Sequence, residues 1–192
     1  MFKESIKGFQ TNVFVGTGFV LANAEKESVK GFEIDASMSP IRDLNFTASV
    51  TYLDPVFDKY TGGSAFNPAT NLVVPMNLTG VRPSGIPSWS VAVGGTYTIP
   101  LSEDHHLILH TDYQFDSATQ IALGLPYKFA PETLNASATL QIIKGLELTV
   151  FGRNLTSPRY NSIIFPSVAQ SGSLSAYPSP PATYGGSVRY RF

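Results

Sequence analysis

The sequence ends in TYGGSVRYRF, residues 183–192, and this stretch alternates between two kinds of side chain. With a period of two, one face carries Tyr184, Gly186, Val188, Tyr190 and Phe192. The opposite face carries Thr183, Gly185, Ser187, Arg189 and Arg191. Because successive side chains of a β-strand point to opposite faces, the stretch predicts a strand with one aromatic, apolar face and one polar face.

The same alternation predicts seven further strands, over residues 8–22, 29–39, 44–52, 87–99, 105–116, 133–142 and 146–155. It is weakest in 8–22, where the faces are mixed and glycines are frequent, and less clean in 146–155, where Phe151 joins the polar face. The strands approach the ~9–11 residues that cross a bilayer at a tilt. No segment predicts a helix, and none has the ~18 consecutive apolar residues of a membrane helix.

The connections between these strands alternate in length. Short turns are predicted at 40–43, 100–104 and 144–145, and a link of a few residues at 24–27. Long segments rich in Pro, Gly, Ser and Asn are predicted at 55–86, 117–131 and 156–182. This alternation is typical of outer-membrane barrels, with the long segments as extracellular loops. We therefore expect one all-β domain over residues 1–192, made of antiparallel up-and-down transmembrane β-barrel strands.

The composition narrows the class of protein. Charged residues make up 14% of the chain, whereas an average soluble domain has roughly 25%. The net charge of -1 argues against a nucleic-acid partner, and the absence of cysteine excludes disulfides and thiolate sites. A soluble β-sandwich also alternates, but its outward face should carry Lys and Glu. The polar faces here carry mainly Ser, Thr, Asn, Gln and Gly, which favours a membrane barrel.

Four segments, in order, resemble the C-terminal part of the TonB-dependent outer-membrane receptors. They are VKGFEIDASMSPIRDLNFTASVTYLD at 29–54, RPSGIPSWSVAVGGTYTIP at 82–100, LELTVFGRNLTSPRY at 146–160 and PATYGGSVRYRF at 181–192. Ser157 and Ala182 depart from the family pattern, in which Asp and Arg are frequent at these positions. These two departures do not argue against the family, but they prevent assignment of a subfamily and therefore of a ligand.

The resemblance implies that the eight strands are the C-terminal arc of a barrel of about 22 strands. The family's plug domain and TonB box are missing from the sequence. It also implies a bacterial outer-membrane receptor, not an enzyme and without a cofactor, for energised uptake of a large scarce ligand such as a ferric siderophore. Its partners would be membrane lipid, the plug domain and upstream strands, the TonB complex through the missing N-terminal region, and the barrel-assembly machinery.

Three groups of candidate residues follow from the resemblance. The ligand-binding loop candidates are Tyr60, Asn67, Asn71, Arg82, Gln170 and Tyr177. Charges on the inner face would meet the plug or be solvated in the lumen, and they are Glu33, Asp35, Arg153, Arg189 and Arg191. The assembly machinery would recognise the terminal alternation of Tyr184, Val188, Tyr190 and Phe192.

Two other functions remain open at this point. A stand-alone eight-stranded barrel with a structural or adhesion role would need bulky inner side chains to fill its centre, whereas the inner positions here are largely small. An enzyme such as an outer-membrane lipase would need an exposed nucleophile, and the sequence has no G-x-S-x-G motif. His106, His110 and Asp112 share one strand face, and we interpret them as polar lining of the barrel.

Overall fold

The computed structural model describes residues 1–14, 19–167 and 169–192, and every regular element in these ranges is a β-strand. The fourteen strands are β1 (Phe2–Phe14), β2 (Phe19–Ile41), β3 (Leu44–Lys59), β4 (Gly63–Asn67), β5 (Leu72–Met76), β6 (Trp89–Pro100), β7 (His106–Asp116), β8 (Thr119–Gln120), β9 (Lys128–Phe129), β10 (Glu132–Ile143), β11 (Leu146–Arg153), β12 (Asn161–Pro166), β13 (Leu174–Pro178) and β14 (Thr183–Tyr190). Within these ranges no helix is long and apolar enough to cross a membrane.

Eight strands form one antiparallel sheet, here called the wall, in the order β1-β2-β3-β6-β7-β10-β11-β14. The predicted fold class and number of wall strands are confirmed. Over the described ranges β1 pairs with β2, β14 pairs with β11, and the two outermost strands do not pair with each other. The wall is therefore an open sheet rather than a closed eight-stranded barrel.

Short turns join neighbouring wall strands at one end of the sheet. Lys144 and Gly145 connect β10 to β11, and Gly145 has φ 91°, a conformation that costs glycine nothing because it has no Cβ. Arg42 and Asp43 connect β2 to β3, and Asp43 has φ 65°, which short polar side chains tolerate. These turns fall where the short connections were predicted.

The first part of the chain corrects the prediction. The single strand predicted over 8–22 is wrong, because β1 ends at Phe14 and β2 begins at Phe19; residues 15–18 lie outside the described ranges. The link predicted at 24–27 is also wrong, because it lies inside β2. Ala24 and Glu27 are both buried although they are three residues apart, so the period-two signal is lost while the strand continues.

The three long connections carry hairpins of their own, β4–β5, β8–β9 and β12–β13. Since β3 continues to Lys59, the first connection begins later than residue 55. Hydrogen bonds join the connections: Phe66 N donates to Leu123 O at 2.8 Å, and Gly85 N donates to Gln120 O at 2.9 Å. We call the described residues of 60–88, 117–131 and 156–182 the cap.

Apolar residues are distributed very differently in the cap and the wall. The buried cluster joins the cap to the protruding ends of β2 and β3, and its members are Ala24, Phe57, Tyr60, Ala65 and Leu78. The apolar face of the wall is exposed instead, with Ile34 at 58%, Val150 at 65% and Val188 at 71% relative exposure. The other sheets of the described chain have only two strands each and leave this face uncovered, so it is not half of a sandwich.

Candidate functional site

A row of aromatic rings marks the boundary between the apolar face of the wall and the cap. Phe32 on β2 lies opposite Tyr52 on β3, which lies opposite Trp89 on β6. The ring centroids are 5.7 Å apart for Phe32 and Tyr52 and 4.8 Å apart for Tyr52 and Trp89. Aromatic residues gather at this position where barrel strands leave a membrane, because one end of the ring is apolar and the other is wet.

The inner face of the wall carries the predicted plug-facing charges, and the structure separates them into two groups. Glu33 and Asp35 lie on β2, opposite Thr51 and Ser49 of β3. The arginines lie on or beside β11 and β14, which begin five strands further along the sheet. At about 4.8 Å per strand, the two groups are roughly 24 Å apart. The predicted acids and arginines therefore do not pair with each other.

Each arginine of the second group has its own local contact. Arg189 lies directly opposite Glu147, with Nη1 3.7 Å from Oε2. Arg153 places its guanidinium 4.9 Å from the ring centroid of Phe151. Arg191 continues the ladder beyond β14, since its backbone N donates to Gly145 O at 2.8 Å. Their role towards a plug domain stays a prediction.

Between the two charged groups, a polar network crosses the inner face of β6, β7 and β10. Thr96 Oγ1 and His110 Nδ1 are 2.8 Å apart, and His110 Nε2 lies 3.6 Å from Asp112 Oδ1. Asn135 Nδ2 donates to Asp112 Oδ2 at 2.7 Å. Sequence reasoning missed Asn135, because its partner becomes visible only when the strand register is known. Nowhere in the described residues do three His, Asp or Glu side chains group as metal ligands would.

Asn154, in the Asn-Leu motif after β11, fastens the wall to the last long connection. Its backbone is left-handed, with φ 52°, which asparagine adopts more readily than most residues. Its backbone N donates to Asn135 Oδ1 at 2.9 Å, and its Nδ2 donates to Pro180 O at 2.6 Å. These bonds explain why an asparagine suits this position.

The predicted ligand contact Tyr60 is buried in the cap. Its relative exposure is 3%, and its ring centroid lies 5.0 Å from that of Phe57. Burial raises the pKa of the Tyr60 hydroxyl, and the nearby Glu25 carboxylate raises it further. Tyr60 packs as part of the cap and also lines the cavity between the cap and the protruding strands, and its role towards a ligand stays a prediction.

The other loop candidates divide between bound and open side chains. Arg82 is held on β3, with Nη1 3.3 Å from Asp54 Oδ1 and Nη2 donating to Leu53 O at 2.9 Å. Asn71 Nδ2 donates to Gly172 O at 3.1 Å, which joins the first long connection to the last.

Among the remaining candidates, Asn67 caps a local turn, since its Oδ1 accepts a hydrogen bond from Ala69 N at 2.9 Å. Gln170 is exposed and its backbone N donates to Ser167 O at 3.1 Å. Tyr177 is 59% exposed, so its ring is open to solvent. Of the six candidates, Gln170 and Tyr177 are the most accessible to a ligand.

A cavity of about 490 Å³ lies between the cap and the protruding strands. Its walls come from β1, β2, β3 and all three long connections, including Thr11, Phe57, Phe66, Leu123 and Phe165. Glu27 lines the same cavity, is 7% exposed, and has no hydrogen-bond partner for Oε2 among the described residues. Burial raises the pKa of this carboxyl. Sequence reasoning missed Glu27, because it lies in the segment assigned to a link.

The candidate assembly residues at the end of the chain share the outer face of β14. Tyr184 and Val188 lie opposite Gly152 and Leu148, and both are largely exposed. Tyr190 and Phe192 have ring centroids 6.2 Å apart at the edge of the wall. An open strip of apolar side chains is thus available for recognition, and the recognition itself stays a prediction.

Two solved receptors share the fold of this chain. The ferric yersiniabactin uptake receptor FyuA from Yersinia pestis superposes with a TM-score of 0.74 at 15% identity, over 99% of this chain and 26% of that protein. The siderophore receptor PiuA from Acinetobacter baumannii superposes with a TM-score of 0.70 at 16% identity, over 98% of this chain and 25% of that protein. The chain spans about a quarter of the length of both.

Sequence comparison supplies the family. A search of curated proteins finds no match. The family model described as TonB dependent receptor-like, beta-barrel matches residues 1–155, which is most of the chain. The fold of this chain agrees with that match, since it has an alternating wall, an aromatic row and long connections joined by hydrogen bonds. The chain belongs to the TonB-dependent receptor-like β-barrel family.

Proposed function

We propose that this chain forms part of the wall and outer loops of a bacterial outer-membrane receptor that takes up a large, scarce ligand such as a ferric siderophore. The family membership and the shared fold support a receptor role. The receptor would bind and transport its ligand, and this role requires no covalent catalysis by the chain.

The exposed apolar face is the observation that carries the proposal. Exposed side chains such as Ile34, Val150 and Val188 would destabilise a sheet in water, because contiguous apolar surface favours association. Lipid makes the same face favourable, and the row from Phe32 to Trp89 lies where a membrane interface would be. The cap would then project from the outer surface of the cell.

The open edges of the wall support the proposal that further strands complete the barrel. A sheet edge within lipid leaves N–H and C=O groups without hydrogen-bond partners, at a cost of several kcal/mol each. Upstream strands would pair with these edges to reach about 22 strands. The wider lumen would hold a plug domain against small inner residues such as Ser49 and Ala92, and the plug would connect to TonB.

Ligand capture would take place at the cap. The cavity lined by Glu27 and Phe57 is mostly apolar with few polar groups, as small-molecule sites usually are. Gln170 and Tyr177 offer further accessible contacts on the last connection.

Uptake in a bacterium that lacks its own siderophore receptors tests this function. The complete gene is expressed there, and uptake of radioactive iron is measured with a panel of ferric hydroxamates, catecholates and mixed chelates. We expect saturable uptake of at least one chelate and its loss when TonB is deleted. Uptake that is independent of TonB would overturn the transport proposal. If the 192-residue chain alone instead forms a closed, monomeric eight-stranded barrel, the result would favour the hypothesis of a stand-alone structural or adhesion protein.

Assembly into the membrane would depend on the terminal strip of β14. Deleting Phe192 from the complete protein should lower the amount of folded, heat-modifiable barrel in outer membranes, because the last aromatic contact of the strip is removed. Tyr127→Ala, which removes an exposed aromatic side chain from a long connection, provides the control. Unchanged abundance after loss of Phe192 would count against an assembly signal.

A further inference from the structure

Four lysines form two directly opposed pairs on the hairpin of β1 and β2. Lys3 lies opposite Lys30, and Lys7 lies opposite Lys26. All four are exposed. Like charges placed directly across a strand pair repel each other and destabilise the pairing. We call these four residues the lysine ladder.

The lysine ladder lies on the outer side of the sheet, immediately beyond the aromatic row. Lys26, Lys30 and Phe32 are separated by even numbers of residues, and β1 pairs with this part of β2 in one unbroken register from Phe2 to Lys7, so their side chains share one face. Lys30 is two residues beyond Phe32, and Lys26 is six. At about 3.3 Å per residue, the ladder covers roughly 7–20 Å above the row.

Side-chain contacts place Lys26 and Ser28 on the same face as Asp58 of β3. Ser28 Oγ donates to Asp58 Oδ1 at 2.9 Å, and Lys26 Nζ lies 3.3 Å from Asp58 Oδ2. The pKa of Asp58 is lowered chiefly by the Ser28 hydrogen bond and also by the charges of Lys26 and Lys3.

Positive charge exceeds negative charge on this surface. Asp58 is paired with Lys26, and Asp54, which faces Lys30 across the strand pair, is paired with Arg82. Lys59 is 3.9 Å from Glu25. Within the described residues Lys3, Lys7 and Lys30 form no ion pair. An anion placed between the opposed ammonium groups would remove their repulsion.

We propose that the lysine ladder binds a glycolipid of the outer leaflet through phosphates on its sugar headgroup. This rests on the proposed outer-membrane location, which places the ladder at headgroup height. The two lysine pairs are four residues apart, or roughly 13 Å, a span suited to a disaccharide with a phosphate at each end. Each basic residue at a charged lipid surface contributes about a fivefold increase in affinity.

Native mass spectrometry of the protein made from its complete gene and purified from outer membranes tests the ladder. The variant Lys3→Gln/Lys30→Gln removes one rung. The variant Lys128→Gln/Lys144→Gln removes the same charge from exposed lysines elsewhere. The probes are a disaccharide glycolipid with two phosphates, the same lipid without phosphate, and inorganic phosphate alone.

We expect the ladder variant to retain the bisphosphorylated lipid at least tenfold more weakly, and the control variant to retain it like the unmodified protein. The variant Lys3→Arg/Lys30→Arg should restore retention, and heat-modifiable mobility checks that each variant folds. Equal retention by the ladder and control variants, equal binding of the phosphate-free lipid, or displacement by millimolar inorganic phosphate would overturn the proposal. If the ladder variant loses the lipid but keeps TonB-dependent uptake, the result supports lipid binding by the lysine ladder. If the unmodified protein is not found in the outer membrane, both proposals are overturned.

Discussion

The part of β2 beneath the cap and the part of β2 in the apolar face of the wall differ in the burial of their side chains. β2 runs from its protruding end beneath the cap, where Ala24 is fully buried, to the apolar face of the wall, where Met38 is 58% exposed. The cap packs on the protruding ends of β2 and β3 through one apolar cluster, whereas the other apolar side chains of the wall point away from the protein. One continuous strand can therefore be buried in protein at one end and expose apolar side chains at the other, with the aromatic row at Phe32 between the two parts.

Truncating a buried ring should have the largest effect on the cap. Phe57→Ala should destabilise it by about 3–5 kcal/mol, because the ring packs on Tyr60 inside the cluster. Hydrogen exchange at the amides of Leu78 and Gly80, which donate to Tyr60 O and Phe57 O, measures the loss. Phe46→Ala on the wall is the control and should cost less, because lipid fills the space. Equal losses would contradict the distinction between the two regions.

A charge placed on the apolar face of the wall should have the second-largest effect on stability. Val93→Arg should cost ~2–4 kcal/mol when the barrel unfolds from lipid vesicles, because the side chain is 43% exposed on the lipid-facing side. Ala92→Arg, one residue away on the inner face, is the matched control and should be tolerated better. Titration with urea in the presence of vesicles measures both. If the two variants lose the same stability, the outer face does not contact lipid.

The pH dependence of the cap should be smaller than either substitution and should trace to Glu27. Its folded pKa is raised from 4.5 by burial, so the folded state prefers the protonated carboxyl. Cap stability should therefore fall as pH rises from about 4.5 through the folded pKa, and level off above it. Glu27→Gln should flatten this dependence, measured by hydrogen exchange at several pH values. A cap that gains stability over the same range would contradict the assignment.

The smallest expected effect concerns the inner face of the wall. Arg189→Gln should change the unfolding free energy by less than about 1 kcal/mol, because the pair with Glu147 spans 3.7 Å and the arginine is 63% exposed. If the residue meets a plug, ferric chelate uptake should nevertheless fall. Glu147→Gln distinguishes the loss of the pair from the loss of the positive charge. Normal uptake by Arg189→Gln would favour a solvated charge.

The sequence predicts the wall well because lipid and lumen impose opposite demands on alternate residues. The strands predicted at 87–99, 105–116 and 133–142 match β6, β7 and β10 within two residues at either end. The prediction fails at 8–27 because β1 and β2 project beyond the aromatic row. There Ala24 and Glu27 are both buried against the long connections although they are three residues apart, so the alternation disappears although β1 and β2 remain paired.

The candidate site is less readable from sequence. Its residue types could be chosen, but the pairing of Asp112 with Asn135 and the opposition of Lys3 and Lys30 depend on strand register. The burial of Tyr60 depends on contacts with Phe57 and Leu78, which are close in space through the folding of a long connection. Polarity and position in a loop give no information about such packing.

The hydrogen bonds between the long connections bear on how this protein evolves. Because Phe66 is bonded to Leu123 and Asn71 to Gly172, a length change in one connection displaces the other two. New ligand preferences would therefore arise through coordinated substitutions across the three connections, with strong epistasis among them. Exposed outer positions of the wall, such as Val93 and Val150, take no part in these bonds and can accumulate apolar substitutions independently.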